Sequence, residues 1–125
     1  MTKSISVPVR LGGNGSSPTE GYVEAFDINN GQWGGICDNS FNILDAHVIC
    51  KMLGFNTSIV ALTNGAADEL YGTAPSGSNF VLDNLDCTGF EKSVFDCPLT
   101  GELSDVCEAS HIAGVKCAAS TLRPF

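Results

Sequence analysis

Tyr22-Val23-Glu24-Ala25-Phe26 and Gln32-Trp33-Gly34-Gly35-Ile36-Cys37 read as two strands, and Asn29-Asn30-Gly31 between them reads as a turn. Together they make a hairpin. Trp33, the single tryptophan, is expected as an anchor in or near the core. Towards the N-terminus, Ile5, Val7, Val9 and Leu11 alternate with other residues as in a half-buried strand, which Pro8 restricts to an edge. Gly12-Gly13-Asn14-Gly15-Ser16-Ser17-Pro18 is a loop by composition. Towards the C-terminus the period changes. Ala46, Ile49, Cys50 and Leu53 share one face of a helix over Ile43–Leu53, with Asn42 as N-cap, Asp45 in the first turn and Gly54 as terminator.

Beyond that helix, Ile59–Leu62 reads as a strand, 64–79 as a long polar loop containing glycine, and Phe80–Leu85 as a buried strand. Thr88 and Glu91 form a capping-box pair ahead of Ser93, Val94 and Phe95, predicting a short second helix that Pro98 stops. Residues 101–110 read as irregular, and Ala113–Cys117 as a closing strand. Short strands around two helices make an α+β domain rather than a series of βαβ units. The 125 residues show no internal repeat and suit one domain.

Six cysteines stand at 37, 50, 87, 97, 107 and 117. Their even number, and the lack of any CxxC pair, favour a disulfide framework over a zinc site, with reduced core cysteines as the plain alternative. Spacing alone does not choose the pairing. Disulfides imply an oxidising compartment, so the chain is expected to be secreted or to be the extracellular part of a membrane receptor. Two glycosylation sequons agree with this: Asn14-Gly15-Ser16 and Asn56-Thr57-Ser58. No stretch approaches the roughly 18 apolar residues of a membrane span, so no direct membrane insertion is expected. Met1–Ser6 has no apolar run resembling a signal peptide, which suggests a mature or excised portion of a longer secreted chain. Fourteen acidic against six basic residues give a net charge of −8. That balance argues against a nucleic-acid partner and against adhesion to an anionic membrane, and it also simply promotes solubility.

Several ordered blocks resemble scavenger receptor cysteine-rich (SRCR) domains. Val9-Arg10-Leu11 with Gly12-Gly13, Gly21-Tyr22-Val23-Glu24, and Gly31-Gln32-Trp33-Gly34 running into Ile36-Cys37-Asp38 look like the family's opening. Asp45-Ala46, Val48, Cys50, Leu53 and Gly54-Phe55 resemble its central helix. Leu82-Asp83, Leu85, Cys87, Gly89, Glu91, Ser93 and Cys97 resemble its next block, and Ala113-Gly114-Val115 before Cys117 its end. The resemblance covers Val7–Ala118, leaving 1–6 and 119–125 as expected tails. It implies a curved antiparallel sheet cradling one main helix, with the short second helix beside it. No cysteine stands near Thr19, and Phe55 stands where some members have one, so the chain resembles the six-cysteine group (group A). The pairing thereby implied is Cys37–Cys107, Cys50–Cys117 and Cys87–Cys97.

Catalytic signals are sparse. The sequence has no GxSxG, HExxH or P-loop motif, and disulfides leave no thiol for a Cys–His dyad. The members of a Ser–His–Asp triad can lie far apart, so spacing says nothing against one; His47 is expected on the helix surface and His111 in a loop. The acidic signals are stronger. Asp38-Asn39 follows the first cysteine and Asp83-Asn84 precedes the third. The corresponding positions in SRCR domains often read Asp-Asp and, with a glutamate near the last cysteine, hold divalent cations. Clustered oxygens suit calcium, but here asparagine replaces the second acid of each pair. His111 falls where the glutamate would be, and Val106 where a polar ligand would precede Cys107. Asp105 and Glu108 are the acids that could compensate. The expectation is therefore weak Ca²⁺ at Asp38, Asn39, Asp83 and Asn84, with no cofactor required. The plain alternative is that Asp38 and Asp83 hold turns through backbone hydrogen bonds.

A second family feature, a Val-Glu…Trp stretch tied to microbial recognition in some members, corresponds to Val23, Glu24 and Trp33 with a longer turn. The resemblance implies a non-catalytic extracellular recognition module with protein, microbial-surface or glycan ligands and scavenger, innate-immune or adhesion roles. Net charge directs ligands to the acidic loops around Asp38, Asp83 and Asp105. The alternative is an accessory domain of a larger secreted enzyme, such as a lysyl-oxidase-like protein or a mosaic protease. A small secreted enzyme in its own right is a third, remote reading.

Overall fold

A computed structural model describes residues 7–77, 79–99 and 107–118. The chain forms β1 (Val9–Ser17), β2 (Glu20–Asp27), β3 (Gln32–Ile36), α1 (Ile43–Met52), β4 (Ser58–Leu62), α2 (Ala66–Tyr71), β5 (Phe80–Leu82) and β6 (Gly114–Cys117). All eight belong to one six-stranded sheet and two helices. The sheet order is β4-β6-β2-β3-β5, and β1 also pairs with β2. Strand β2 organises the sheet. One of its edges carries β1 antiparallel, while the other is shared by β6 near Glu20–Tyr22 and by β3 over Glu24–Asp27.

Apolar alternation decides which side of each strand is inside. Val23, Ala25, Ile36 and Val115 face α1, where Ala46, Val48, Ile49 and Cys50 meet them with no exposed surface. Removing these side chains from water is the main stabilising term. Tyr22 faces the opposite way, into a second cluster with Leu62, Ala67, Tyr71, Ala74 and Ile112, which α2 covers. Helix α2 approaches closely because Gly114 has no side chain: a Cβ there would lie 2.6 Å from Cβ of Ala67. Tyr71 donates its hydroxyl to Oε2 of Glu20 at 2.7 Å, and burial first, then this bond, hold its phenol well above the usual range.

Helix α1 lies where the sequence places it. Asn42 Oδ1 accepts from the Leu44 and Asp45 amides, Asp45 returns a carboxylate to the Asn42 amide, and Gly54 takes φ +97° after the last turn. Three other expectations give way to tertiary structure. Residues 12–17 are strand rather than loop, because β2 offers partners; positive φ at Gly13 and Gly15 accommodates the register shift between Gly12 and Ser17. The second α-helix lies inside the expected loop at Ala66–Tyr71, not at 88–95. It has no side-chain cap, so sequence shows no signal, and burial of Ala67 and Tyr71 holds it. Over 88–95 the Glu91 carboxylate instead caps the Thr88 and Gly89 amides in a turn, and only a 3₁₀ turn forms at Val94–Asp96. Finally, β3 and β5 run parallel, so the sheet is mixed rather than antiparallel throughout.

The disulfides join Cys37 to Cys107, Cys50 to Cys117 and Cys87 to Cys97, the pairing that the resemblance implies. They close loops of 70, 67 and 10 positions. Chain entropy assigns about 4 kcal/mol to each long loop and about 3 kcal/mol to the short one.

Asp45 has no exposed surface and joins α1 to the Cys87 segment: Oδ2 accepts from the Asn42 amide and Oδ1 from the Cys87 amide, both at 2.8 Å. Burial raises its pKa, more than the hydrogen bonds from Cys87 and Asn42 lower it. Between the unfolded value and this higher folded value the native state holds the extra proton. Asp45's contribution to stability therefore falls as pH rises through that window and is constant above it. Urea unfolding with disulfides intact should show the wild type gaining on Asp45→Asn as pH drops through the window, and a constant difference near neutrality. Asp45→Ala, which strands the buried Cys87 amide and the part-buried Asn42 amide, should cost about 2–5 kcal/mol.

Candidate functional site

Because β3 and β5 are parallel, both leave the sheet at the same end, and each is followed by one Asp-Asn pair. An antiparallel pair would send them to opposite ends. The two exits stay connected: the Cys37 amide donates to the Leu82 carbonyl at 2.8 Å, and the Ser40 hydroxyl to Asn84 Oδ1 at 3.4 Å. Ser40 and Asn84 both adopt left-handed backbone, at φ +62° and +57°. Asparagine tolerates that conformation better than most residues, so Asn84 serves the turn as well as offering an oxygen.

Asp38 and Asp83 are each only 6% exposed, a depth at which carboxylates call for partners. Asp38 Oδ2 accepts from the Gly65 amide at 3.1 Å, and Oδ1 lies 3.2 Å from His111 Nδ1. Gly65 is the N-cap of α2, so the helix without a sequence signal supplies one of the two contacts. Asn39 is exposed and Asn84 half-buried. An open depression of about 300 Å³ is lined by Asn39, Cys107, Glu108 and His111. Asp105 and Val106 lie outside the described residues.

The donor set is hard oxygen: two carboxylates and two amide side chains. Calcium uses about six to eight such oxygens. Asp38, however, already serves as acceptor for an amide and for His111, so an ion at Oδ1 competes with the imidazole. When protonated, His111 itself places a positive charge against Asp38. The set suits a weakly held cation. For Asp38 the plainer role, accepting a backbone hydrogen bond, is visible in the Gly65 contact.

The Val23, Glu24 and Trp33 stretch divides among three environments. Val23 is wholly in the core. Glu24, 4% exposed, receives Nε and Nη2 of Arg10, each 2.9 Å from Oε1. The Arg10 guanidinium lies 4.1 Å from the Trp33 ring centre, and Phe26 meets that ring edge-on at 5.3 Å. This buried carboxylate under a stacked arginine is a site feature the sequence reading did not assign; its signal is the pairing of Arg10 opposite Glu24. His47 is half-buried on α1, with Nδ1 3.0 Å from Thr57 Oγ1. The His111 ring bonds Asp38, and among the described residues no hydroxyl or thiol side chain joins that pair as a nucleophile would.

Comparison with known proteins agrees with this architecture. The model of the scavenger receptor cysteine-rich domain matches residues 13–118. Galectin-3-binding protein of Rattus norvegicus is 40% identical over 105 residues, 84% of this chain and 17% of that protein. Lysyl oxidase homolog 2 of Gallus gallus is 39% identical over 109 residues, 87% of this chain and 13% of that protein. The chain thus spans less than a fifth of these relatives. The crystal structure of the third SRCR domain of murine neurotrypsin superposes with a TM-score of 0.74 at 37% identity, covering 88% of this chain and 94% of that one. Sheet, helices, disulfides and sequence agree, and the chain belongs to the scavenger receptor cysteine-rich domain family.

Proposed function

We propose that this domain is an extracellular, non-catalytic recognition module of scavenger-receptor type, and that its ligand-facing region is the end of the β3–β5 pair. The observation that carries this reading is the placement of Asp38-Asn39 and Asp83-Asn84 at one end of a parallel pair, beside the depression lined by Glu108 and His111. The ligands are proteins, microbial-surface polymers or glycans that present basic or neutral surfaces, with calcium as a weak accessory. A net charge of −8 steers cationic surfaces in and polyanions away. Among the bases within the described residues, Arg10 is tied to Glu24 and Lys51 donates to the Gly89 carbonyl at 3.0 Å. No helix among the described residues is long and apolar enough to cross a membrane.

A second reading has its own support. The match to lysyl oxidase homolog 2 covers 13% of that protein, as an accessory domain in a larger enzyme would. The domains flanking this chain in its parent protein separate the two readings.

Calorimetry should give a calcium Kd on the order of 10⁻⁴–10⁻³ M, lost in Asp38→Ala. Tight binding that survives this substitution would place the ligands elsewhere. Pull-downs on heparin, DNA and lipopolysaccharide in chelator should retain little protein at any salt concentration, whereas a polylysine surface should retain it and release it as salt rises. Strong, salt-sensitive heparin binding in chelator would refute the charge argument.

A further inference from the structure

Neither sequon takes part in the site at the β3–β5 end, and the fold distinguishes them. Asn14 lies exposed within β1, with its side-chain nitrogen 3.5 Å from where a Cβ on Gly72 would stand. Asn56 is exposed in the bend between α1 and β4, and among the described residues no hydrogen bond engages its side chain. The two residues after it are fastened to α1: Thr57 Oγ1 meets His47 Nδ1 at 3.0 Å, and the Ser58 hydroxyl donates to the Ile43 carbonyl at 3.3 Å. Asn56 therefore stands exposed on a fixed bend.

Strand β4, which begins two residues after Asn56, is unusual for a sheet edge. Among the described residues it is bonded on one side only, to β6. Edges are normally guarded by charge, proline or a bulge. From Asn56 to Leu62 there is neither charge nor proline, and the one device present is the register shift between Ser58 and Val60, which leaves Ile59 62% exposed. Beside it, the first turn of α1 exposes Ile43 at 46% and Leu44 at 44%. An uncharged edge flanked by three exposed aliphatic side chains invites pairing with another chain.

We propose that Asn56 is an N-glycosylation site and that its oligosaccharide shields the β4 edge and the Ile43, Leu44 and Ile59 surface. In the transfer, Asn56 Nδ2 attacks the anomeric carbon of an oligosaccharide carried on a polyprenyl pyrophosphate. The new N–C bond forms as the C–O bond to pyrophosphate breaks; the lipid pyrophosphate leaves, and Nδ2 gives up one proton to base. The hydrophilic chain so attached begins two residues ahead of the open strand.

The test is to secrete the 125-residue chain from a glycosylating eukaryotic host and map its peptides with disulfides intact. Asn56 should be occupied in most molecules and Asn14 in a minority. A fully oxidised protein with bare Asn56 would overturn the site while leaving the recognition reading untouched. Shielding is tested on folded protein by trimming the glycan enzymatically, which avoids any effect of sequence on folding. Sedimentation should show self-association strengthened about tenfold or more by trimming, equally in Asn56→Gln, and reversed when Ile59→Lys is added to Asn56→Gln. Trimmed protein that stays monomeric over the same concentrations would refute the shielding role.

Discussion

Ile36, Cys37 and Asp38 are the point at which four separated stretches of chain are held together. The Cys37 amide bonds the Leu82 carbonyl, the Asp38 amide bonds the His111 carbonyl, and the Ala113 amide bonds the Ile36 carbonyl, all within 2.7–2.8 Å. The Asp38 carboxylate then reaches the start of α2 through Gly65, and the Cys37 sulfur reaches Cys107. The three donors belong to buried residues, and a buried amide without an acceptor costs about 1–3 kcal/mol. The parallel β5, the α2 cap and the C-terminal segment therefore take their positions together. The site and the scaffold share this knot, so Asp38 has structural work even without a ligand.

Much of this was legible in the chain itself. Asn42, Asp45 and Gly54 mark the limits of α1 by local chemistry, and local chemistry prevails there because the helix has ten residues and a buried face. The hairpin of β2 and β3 is legible for the same reason. The six cysteines and the acid pairs announce the framework and the candidate site. Their bringing together is another matter. β5 has three residues, and whether they pair parallel or antiparallel depends on the path of a connection of more than forty residues, which its local periodicity does not specify. α2 has one turn and a half, a left-handed glycine at its start and no side-chain cap. Such a segment is helical only because Ala67 and Tyr71 find the bare surface of Gly114 and its surroundings. The Thr88–Glu91 signal shows the reverse: the side-chain bond forms as read, but a disulfide ten positions long leaves little room for a helix behind it.

Two of the buried carboxylates, Glu24 in β2 and Asp38 just after β3, are handled differently. Glu24 is covered by a permanently charged guanidinium that is itself stacked on Trp33. Asp38 is met by an imidazole whose charge depends on its surroundings, and by a backbone amide. The first arrangement fixes a strand pair. The second leaves one carboxylate oxygen with a replaceable partner.

The place of β6 bears on how such a chain is made. Among the described residues it is the last strand in sequence, yet it lies between β4 and β2; one long disulfide ends in it at Cys117 and the other at Cys107, in the segment leading to it. As the chain emerges during synthesis, β4 has no neighbour to join, and Cys37 and Cys50 stand without their partners for almost the whole length. Folding cannot close from the N-terminus forward; it waits for Gly114–Cys117 and then completes sheet, core and cross-links in one late step. Until that moment Cys37 and Cys50 lack their partners Cys107 and Cys117, and a bond formed between them would have to be undone by thiol exchange before the sheet could close.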